Sequence, residues 1–349
     1  MISDRKLAHL EICRNEDVEH HITTGFEDIE LVHRTLPEVN FDDIDTSVTF
    51  LGKTLESPLV ISAITGGHPA STEINMNLAI ATENTRIAMG VGSQRAGIVH
   101  KQLEETFTIV REYARRAMII GNIGAPQVEY APKAIEMLDC DALAIHLNPL
   151  QEIIQPEGDV NAEGYAESIK EICFGTKTPI IAKETGAGID GRDAKILEKI
   201  GVDAIDVQGV GGTSWAAVET YRADNPTLGN LFWDWGIPTA VSTIEVLENT
   251  NLPVISSGGI RNGLEAAKAI SLGADCVGMA LPFLKYAYES PELIEEKINQ
   301  FTRELKTAMF LVGARNIEEL KQKRLIITGK TREILTQLDI DTKKYARRI

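Results

Sequence analysis

Eight short apolar, β-branched runs recur along this chain: 59–65 (LVISAIT), 88–94 (AMGVGSQ), 118–124 (MIIGNIG), 142–148 (ALAIHLN), 179–185 (PIIAKET), 204–210 (AIDVQGV), 253–257 (PVISS) and 276–280 (CVGMA). The segments between them carry helical spacing, as in Leu293, Ile294, Ile298, Phe301, Leu305 and Met309. Strand–helix alternation builds a parallel sheet, and eight repeats is the number that closes a barrel. A doubly wound open sheet would need a G-x-G-x-x-G turn after its first strand, and A-I-T-G-G-H at 63–68 is not one. The expected fold is α/β, a (β/α)8 TIM barrel with an N-terminal arm and hairpin.

Three regions fall outside the repeat. Residues 1–56 read as a polar arm, then loop with short extended pieces, then a hairpin, SVTFLGKTLESP, with Gly52-Lys53 at its turn. The hairpin suits the bottom of the barrel, which leaves the arm free to reach the top. Within the barrel segment, 57–311, the one long break is 211–236, which holds Trp215, Trp233 and Trp235. Long loops at that end are usually lids or substrate walls. The tail, 312–349, reads as helical and charged, suited to packing or subunit contact.

With 35 basic against 51 acidic side chains, the net charge of −16 argues against a nucleic-acid or anionic-membrane surface. A phosphorylated ligand must therefore be held by a local basic cluster. Cys13, Cys140, Cys173 and Cys276 lie far apart without a C-x-x-C pair, which fits a reducing compartment. No run approaches the roughly 20 apolar residues needed to span a bilayer, and MISDRKLAHLEIC lacks a signal-peptide core. The expected location is the cytoplasm.

The turn Ser257-Gly258-Gly259-Ile260-Arg261-Asn262 and the later Gly278-Met279-Ala280-Leu281 follow the seventh and eighth runs. Glycine turns that lead into helix N-termini free backbone N–H groups for a phosphate, the arrangement found after strands 7 and 8 of such barrels. At the other strand ends a period of two aligns Ala142, Ala144, His146 and Asn148 in one run. It also groups Val91, Ser93 and Arg95, Ile181 and Lys183, Ile120 and Asn122, and Ala63 and Thr65. A lysine at a barrel mouth is costly unless an anion or a cofactor requires it. Lys183 could form a Schiff base, as in an aldolase acting on a phosphosugar, or sit against a flavin ring with Asn122, Ser93 and Thr65 bonding the heterocycle. The phosphate site favours FMN. Arg5, Lys6 and Arg95, with His9 and His146, could form a second anion site, and Glu152 beside them suggests a Mg²⁺-diphosphate ligand. From residue types alone, Arg5 and Lys6 also read as a solvated chain end. The strand ends show no obvious pair of carboxylates for acid–base work.

The segments RKLAH, FEDIELVHRTLPE, SPLVISAITGG, GVGSQR, GNIGAPQ, HLNPLQE with a following GD, KETGAG, GVGGTSW, SGGIRNG and GMALPFL occur in this order between Arg5 and about Leu335. Together they resemble the type 2 isopentenyl-diphosphate isomerases, in an archaeal-like form. The resemblance implies interconversion of isopentenyl and dimethylallyl diphosphate with reduced FMN, Mg²⁺ and NADPH as reductant, in a homotetramer or homo-octamer. It implies flavin contacts from Ala63, Ile64, Thr65, Ser93, Asn122, Lys183 and Thr213, with the phosphate on Gly258, Gly259, Arg261, Ala280 and Leu281. Substrate contacts fall to Arg5, Lys6, His9, Ser93, Arg95, His146, Asn148 and Gln151, and Mg²⁺ to Glu152. Lys183, His146 and Gln151 form the implied catalytic group, with the reduced flavin as acid and base and Trp215 in the lid. Two positions depart from the family pattern: Ile64 replaces a common methionine, and Gln208 replaces a serine. Two other flavoenzyme and barrel readings fit less well. A 2-hydroxy acid oxidase wants a histidine near Arg261, and an IMP dehydrogenase wants a cysteine where Thr213-Ser214-Trp215 stands. A flavin-binding scaffold without catalysis would have no use for the second anion site.

Overall fold

The computed structural model describes residues 2–348. Three strands precede the barrel: β1 (Ile29–Leu31), β2 (Val48–Phe50) and β3 (Lys53–Leu55). The barrel strands are β4 (Leu59–Ile61), β5 (Ala88–Gly90), β6 (Met118–Gly124), β7 (Ala142–His146), β8 (Ile180–Lys183), β9 (Ala204–Asp206), β10 (Val254–Ser257) and β11 (Cys276–Met279). They close in the order β10-β11-β4-β5-β6-β7-β8-β9, every neighbouring pair parallel. Helices cover the outside of this sheet, so both its faces are buried and its strands read as unbroken apolar runs. All seven residues of β6 are buried, for example.

The flanking helices bury one stripe each. Pro291–Val312 starts at Ser290, whose side chain accepts from Leu293 N, and stops at Gly313 in the left-handed region. Its buried residues include Ile294, Ile298, Phe301, Leu305 and Met309. Each such side chain contributes roughly 1.5–3 kcal/mol of transfer free energy.

Several strands end earlier than their apolar runs. β4 stops at Ile61, β5 at Gly90 and β9 at Asp206, and Gln208 takes a left-handed φ of 44° that cannot continue a ladder. Ala63, Thr65, Ser93 and Asn148 therefore stand on loops above the strands. The period-two alignment of Arg95 with Val91 fails for the same reason. Arg95 opens the helix Arg95–Val99 and is exposed.

The polar N-terminal arm has regular structure that its sequence did not announce. Residues Ile2–Asn15 form a helix whose Leu10 is buried. Its Ile12 and Cys13, together with Trp215 and Trp233, pack against the buried cluster of Val18, Ala217 and Val218. The hairpin forms with Phe50 opposite Lys53, so its turn is Leu51-Gly52 rather than Gly52-Lys53. Both turn residues have positive φ, 45° and 83°, the geometry that suits the twist of a two-residue hairpin. Lys53 Nζ reaches Asp141 Oδ1 at 2.8 Å, and Glu56 N donates to Arg86 O at 3.0 Å. Both partners precede a barrel strand, so the hairpin lies at the N-terminal end of the barrel. The tail is helical only in part: β12 (Leu325–Ile327) pairs antiparallel with β1, Ile29 opposite Ile327. No helix of the described residues is long and apolar enough to cross a membrane.

Candidate active site

Two adjoining cavities open at the C-terminal ends of the barrel strands, the end where such barrels carry their sites. One, of about 910 Å³, lies over β4, β10 and β11. The other, of about 870 Å³, lies over β6, β7 and β8. Lys6, His9, Ala63, Ile64, Thr185, Gln208 and Trp215 line both.

On the β10 side the wall of the first cavity is backbone. β10 runs into Gly258 and Gly259, whose φ values of 100° and 78° are ones that side-chain-bearing residues rarely adopt. A Cβ would fall 2.1 Å from Gly209 O at the first and 2.2 Å from Gly211 O at the second. The next helix, Gly263–Leu272, is capped by Asn262, whose side chain accepts from Glu265 N at 2.9 Å. Across from this turn Ala280 and Leu281 lead from β11 into Leu281–Ala287. A turn of two bare glycines facing a second strand–helix junction fits a phosphate held by main-chain N–H groups. Arg261 lines the same wall, its guanidinium paired with Glu19. Thr65, Thr213 and Met279 complete a space suited to a heterocycle.

The second cavity is walled by side chains. Arg5 and Lys6 enter it from the N-terminal helix; Asn122, His146 and Lys183 come from β6, β7 and β8, and Ser93, Arg95, Asn148, Gln151 and Glu152 from the loops and short helices that follow barrel strands. Arg5 Nε is buried without a partner among the described residues, a donor suited to an anion. Burial, and then the charge of Arg5, lower the Lys6 ammonium to about 8. Burial likewise lowers the His146 imidazole to about 3, with Lys183, Lys6 and Arg5 adding to the effect. Asn122 Nδ2 donates to Val91 O at 3.0 Å, which leaves Asn122 Oδ1 to accept from His146 Nδ1 at 2.8 Å. With its pKa lowered in this way His146 is neutral, and the bond to Asn122 puts its proton on Nδ1. Glu152 accepts from Asn148 Nδ2 (3.0 Å), Gln155 Nε2 (3.2 Å) and Asp159 N (2.8 Å). Two carboxylate oxygens offer about four lone-pair sites, so room remains for one cation contact. The described residues contain no cluster of three metal-ligating side chains. The donor set fits Mg²⁺ only through one carboxylate plus ligand phosphates and water.

Beneath the cavities Lys183 is buried, with Nζ donating to Glu184 O at 2.9 Å. Burial lowers its pKa, while the charges of Asp206 and Glu184 oppose that. Asp206 is also buried, and burial raises its pKa against the pull of Lys183, Ser257 and Gln208. Gln208 Nε2 donates to Asp206 Oδ2 at 3.0 Å, so the residue that departs from the family pattern braces this buried pair. The Glu184 carboxylate turns away and accepts from the N–H groups of Thr185 (2.6 Å), Gly186 (2.6 Å) and Ala187 (2.5 Å). That ties down the loop lining the first cavity.

All the residues expected at the site thus border one continuous space. Sequence reasoning passed over Glu219, Arg222 and Asp206. Glu219, on the helix Trp215–Thr220, is fully buried behind the second cavity, where it fastens residues that line it. Its Oε1 accepts from Gln151 Nε2 at 2.8 Å and lies 2.9 Å from His9 Nε2, while Oε2 pairs with Arg222. Burial pushes its pKa up, but these partners hold it below the ordinary value. Trp215, one helical turn earlier, meets the His9 ring edge-on at 5.1 Å. The signal was a single carboxylate in the apolar run WAAVET, four residues after a tryptophan and so on its face.

The FMN-dependent dehydrogenase family model matches residues 11–104 and 146–327. An isopentenyl-diphosphate delta-isomerase of Methanothermobacter thermautotrophicus is 60% identical over 348 residues, covering 100% of both chains. The enzyme of that name from Archaeoglobus fulgidus is 50% identical, covering 95% of this chain and 97% of its own. Among solved structures, a flavocytochrome b2 variant superposes with a TM-score of 0.67 at 19% identity, covering 92% of this chain and 83% of that one. A mandelate oxidase variant carrying an FMN adduct gives 0.62 at 15% identity, covering 92% of each. The likeness to the two solved structures is one of fold; the two sequence relatives match along nearly the whole chain. The chain belongs to the FMN-dependent dehydrogenase family and, within it, groups with the isopentenyl-diphosphate delta-isomerases.

Proposed function

We propose that this chain interconverts isopentenyl and dimethylallyl diphosphate for isoprenoid biosynthesis. The observation that carries the reading is the pairing of a glycine phosphate cradle with a basic, arm-covered mouth across one shared wall. One site suits FMN and the other a diphosphate with Mg²⁺ on Glu152. The bound cofactor, in its reduced form and with NADPH as reductant, supplies acid–base chemistry at the alkene.

The side chains do the rest. Arg5, Lys6, His9, Arg95, His146 and Asn148 hold the diphosphate, and Ser93 serves both ligands. Lys183 would supply positive charge near the bound cofactor, which favours the anionic reduced form, and Thr65, Asn122 and Thr213 would help to hold it. Gln151 is fixed by Asn148 and Glu219 and orients the alkene end of the substrate. An alkene is a weak base, so water must be kept from the acid. The N-terminal helix and Trp215 close that side. The chain divides on this reading into an arm and hairpin (1–56), a barrel (57–311) with its cover at 211–236, and a tail (312–349).

The four cysteines are free, which fits a cytoplasmic enzyme. Exposed Ile153, Leu228 and Trp235 line an apolar groove, and Leu231 nearby is also exposed, which supports a homotetramer or homo-octamer.

The decisive experiment follows isopentenyl diphosphate by NMR in D₂O under anaerobic conditions with FMN, Mg²⁺ and NADPH or dithionite. Conversion with deuterium incorporation only when the flavin is reduced is the expected result. A retained yellow cofactor without isomerisation would overturn the reading and direct the search to 2-hydroxy acids. Activity is also expected to be lost with 5-deaza-FMN, which alters the N5 position.

A further inference from the structure

Away from the barrel mouth, the β1–β12 ribbon and the last helical turns border a third, open and basic cavity of about 1220 Å³. His33, Arg34, Lys323, Arg324, Arg347 and Arg348 line it, with no carboxylate among the described lining residues. In a chain of net charge −16 this gathering is not the default. Like charges gathered in one place repel, a cost that a bound anion would relieve.

The surrounding backbone is held in place. Val32 N donates to Arg324 O at 3.2 Å and Arg34 N to Leu311 O at 2.9 Å, which fixes the two arginines on neighbouring strand ends. Arg324 Nε donates to Ala346 O at 3.1 Å, and Lys323 Nζ to Gly313 O at 2.7 Å. Arg348 stacks on the Tyr345 ring, 4.6 Å from its centroid. Arg34 and His33 have no side-chain partner among the described residues, and Arg347 has only the exposed Asp341 at 3.9 Å. Burial lowers the Lys323 ammonium, the charges of Arg34 and Arg315 lower it further, and Glu319 alone opposes them. Guanidinium forks bond phosphate oxygens two at a time, which a lone ammonium cannot do.

We propose that this cavity is a second binding site, for a multiply charged phosphate-type oxyanion, separate from the mouth. Arg34 and Arg324 are its principal ligands, and Lys323 and Arg347 flank them. The proposal does not depend on the reaction at the mouth.

The test is calorimetric titration of inorganic diphosphate into the FMN-loaded, full-length protein, without substrate. Wild type is expected to show two classes of site, R34E/R324E only the mouth class, and R5A/K6A only the distal class. Raising the salt should weaken the distal class, because exposed charges are screened over about 8–10 Å at moderate ionic strength. Should R34E/R324E lose its circular dichroism, R34A alone decides. Arg34 is exposed and unpartnered, so its removal leaves the fold intact and is expected to weaken the distal class about tenfold. If R34E/R324E, or R34A in its place, keeps every class that wild type shows with unchanged affinity, the proposal is overturned. A single class in wild type that R5A/K6A abolishes overturns it equally.

Discussion

At the β10 end of the site the wall is main chain, Gly258 and Gly259 pressed against the carbonyls of Gly209 and Gly211, respectively. At the β7 and β8 end it is side chain: His146, Gln151 and Glu152 meet Arg5 and His9 from a helix that is not part of the barrel. A backbone wall is rigid and indifferent to protonation. A side-chain wall carries charge, responds to pH and depends on a cover that can leave. The two ends should therefore fail in different ways when altered.

The largest effect is expected at the backbone end. Gly259→Ala places a Cβ 2.2 Å from a carbonyl that cannot retreat, at a φ of 78°. Flavin affinity should fall roughly a hundredfold, about 2.7 kcal/mol, read from the flavin absorbance retained per chain after gel filtration. Diphosphate binding at the mouth should change little. An equal loss of both would mean that the ends are one unit.

Next comes Glu152→Gln, which removes the one carboxylate offered to Mg²⁺. We expect the apparent Mg²⁺ affinity in the isomerase assay to weaken about thirtyfold, with flavin content unchanged. Glu219→Gln keeps the shape but not the charge that fastens His9 and Arg222. A drop of about tenfold in kcat/KM is expected, with earlier proteolytic cleavage in residues 2–15. Normal activity with an intact arm would show that Glu219 only fills space.

The mildest test is pH. His146, lowered to about 3, is neutral in the empty site throughout the working range, with Nε2 lacking a proton. A bound diphosphate raises its pKa, so binding takes up a proton and affinity falls as pH rises, by less than about tenfold per unit. Lys6, at about 8 in the empty site, adds the same sign of dependence above that value. Calorimetry in buffers of differing ionisation enthalpy measures the uptake. His146→Gln should remove the part below pH 8, and no uptake in wild type would mean that Nε2 stays bare.

The same division decides what could be read beforehand. The eight barrel strands are legible because burial on both faces writes continuous apolar runs such as MIIGNIG. The cradle is legible because only glycine tolerates its backbone. The arm is not: ISDRKLAHLEICRN has a weak apolar stripe, and the groups that order it, Trp215 and Glu219, lie some two hundred residues away. Arg95 misled because period-two reasoning was carried past Gly90, where the strand ends. β12 hid in a charged tail because a three-residue strand has no pattern of its own until β1 pairs with it.

That last pairing has a consequence for how the protein is made. Ile29 meets Ile327, so the clasp joins segments at opposite ends of translation. At ~5–20 residues per second, about 15–60 s pass between the emergence of β1 and of its partner. β4, too, waits for β11 before the barrel can close. Until then the first strands hold unpaired edges and exposed apolar side chains. Truncation before Leu325 should therefore yield a chain that associates with itself or with chaperones, even though every residue at the barrel mouth has already been synthesised.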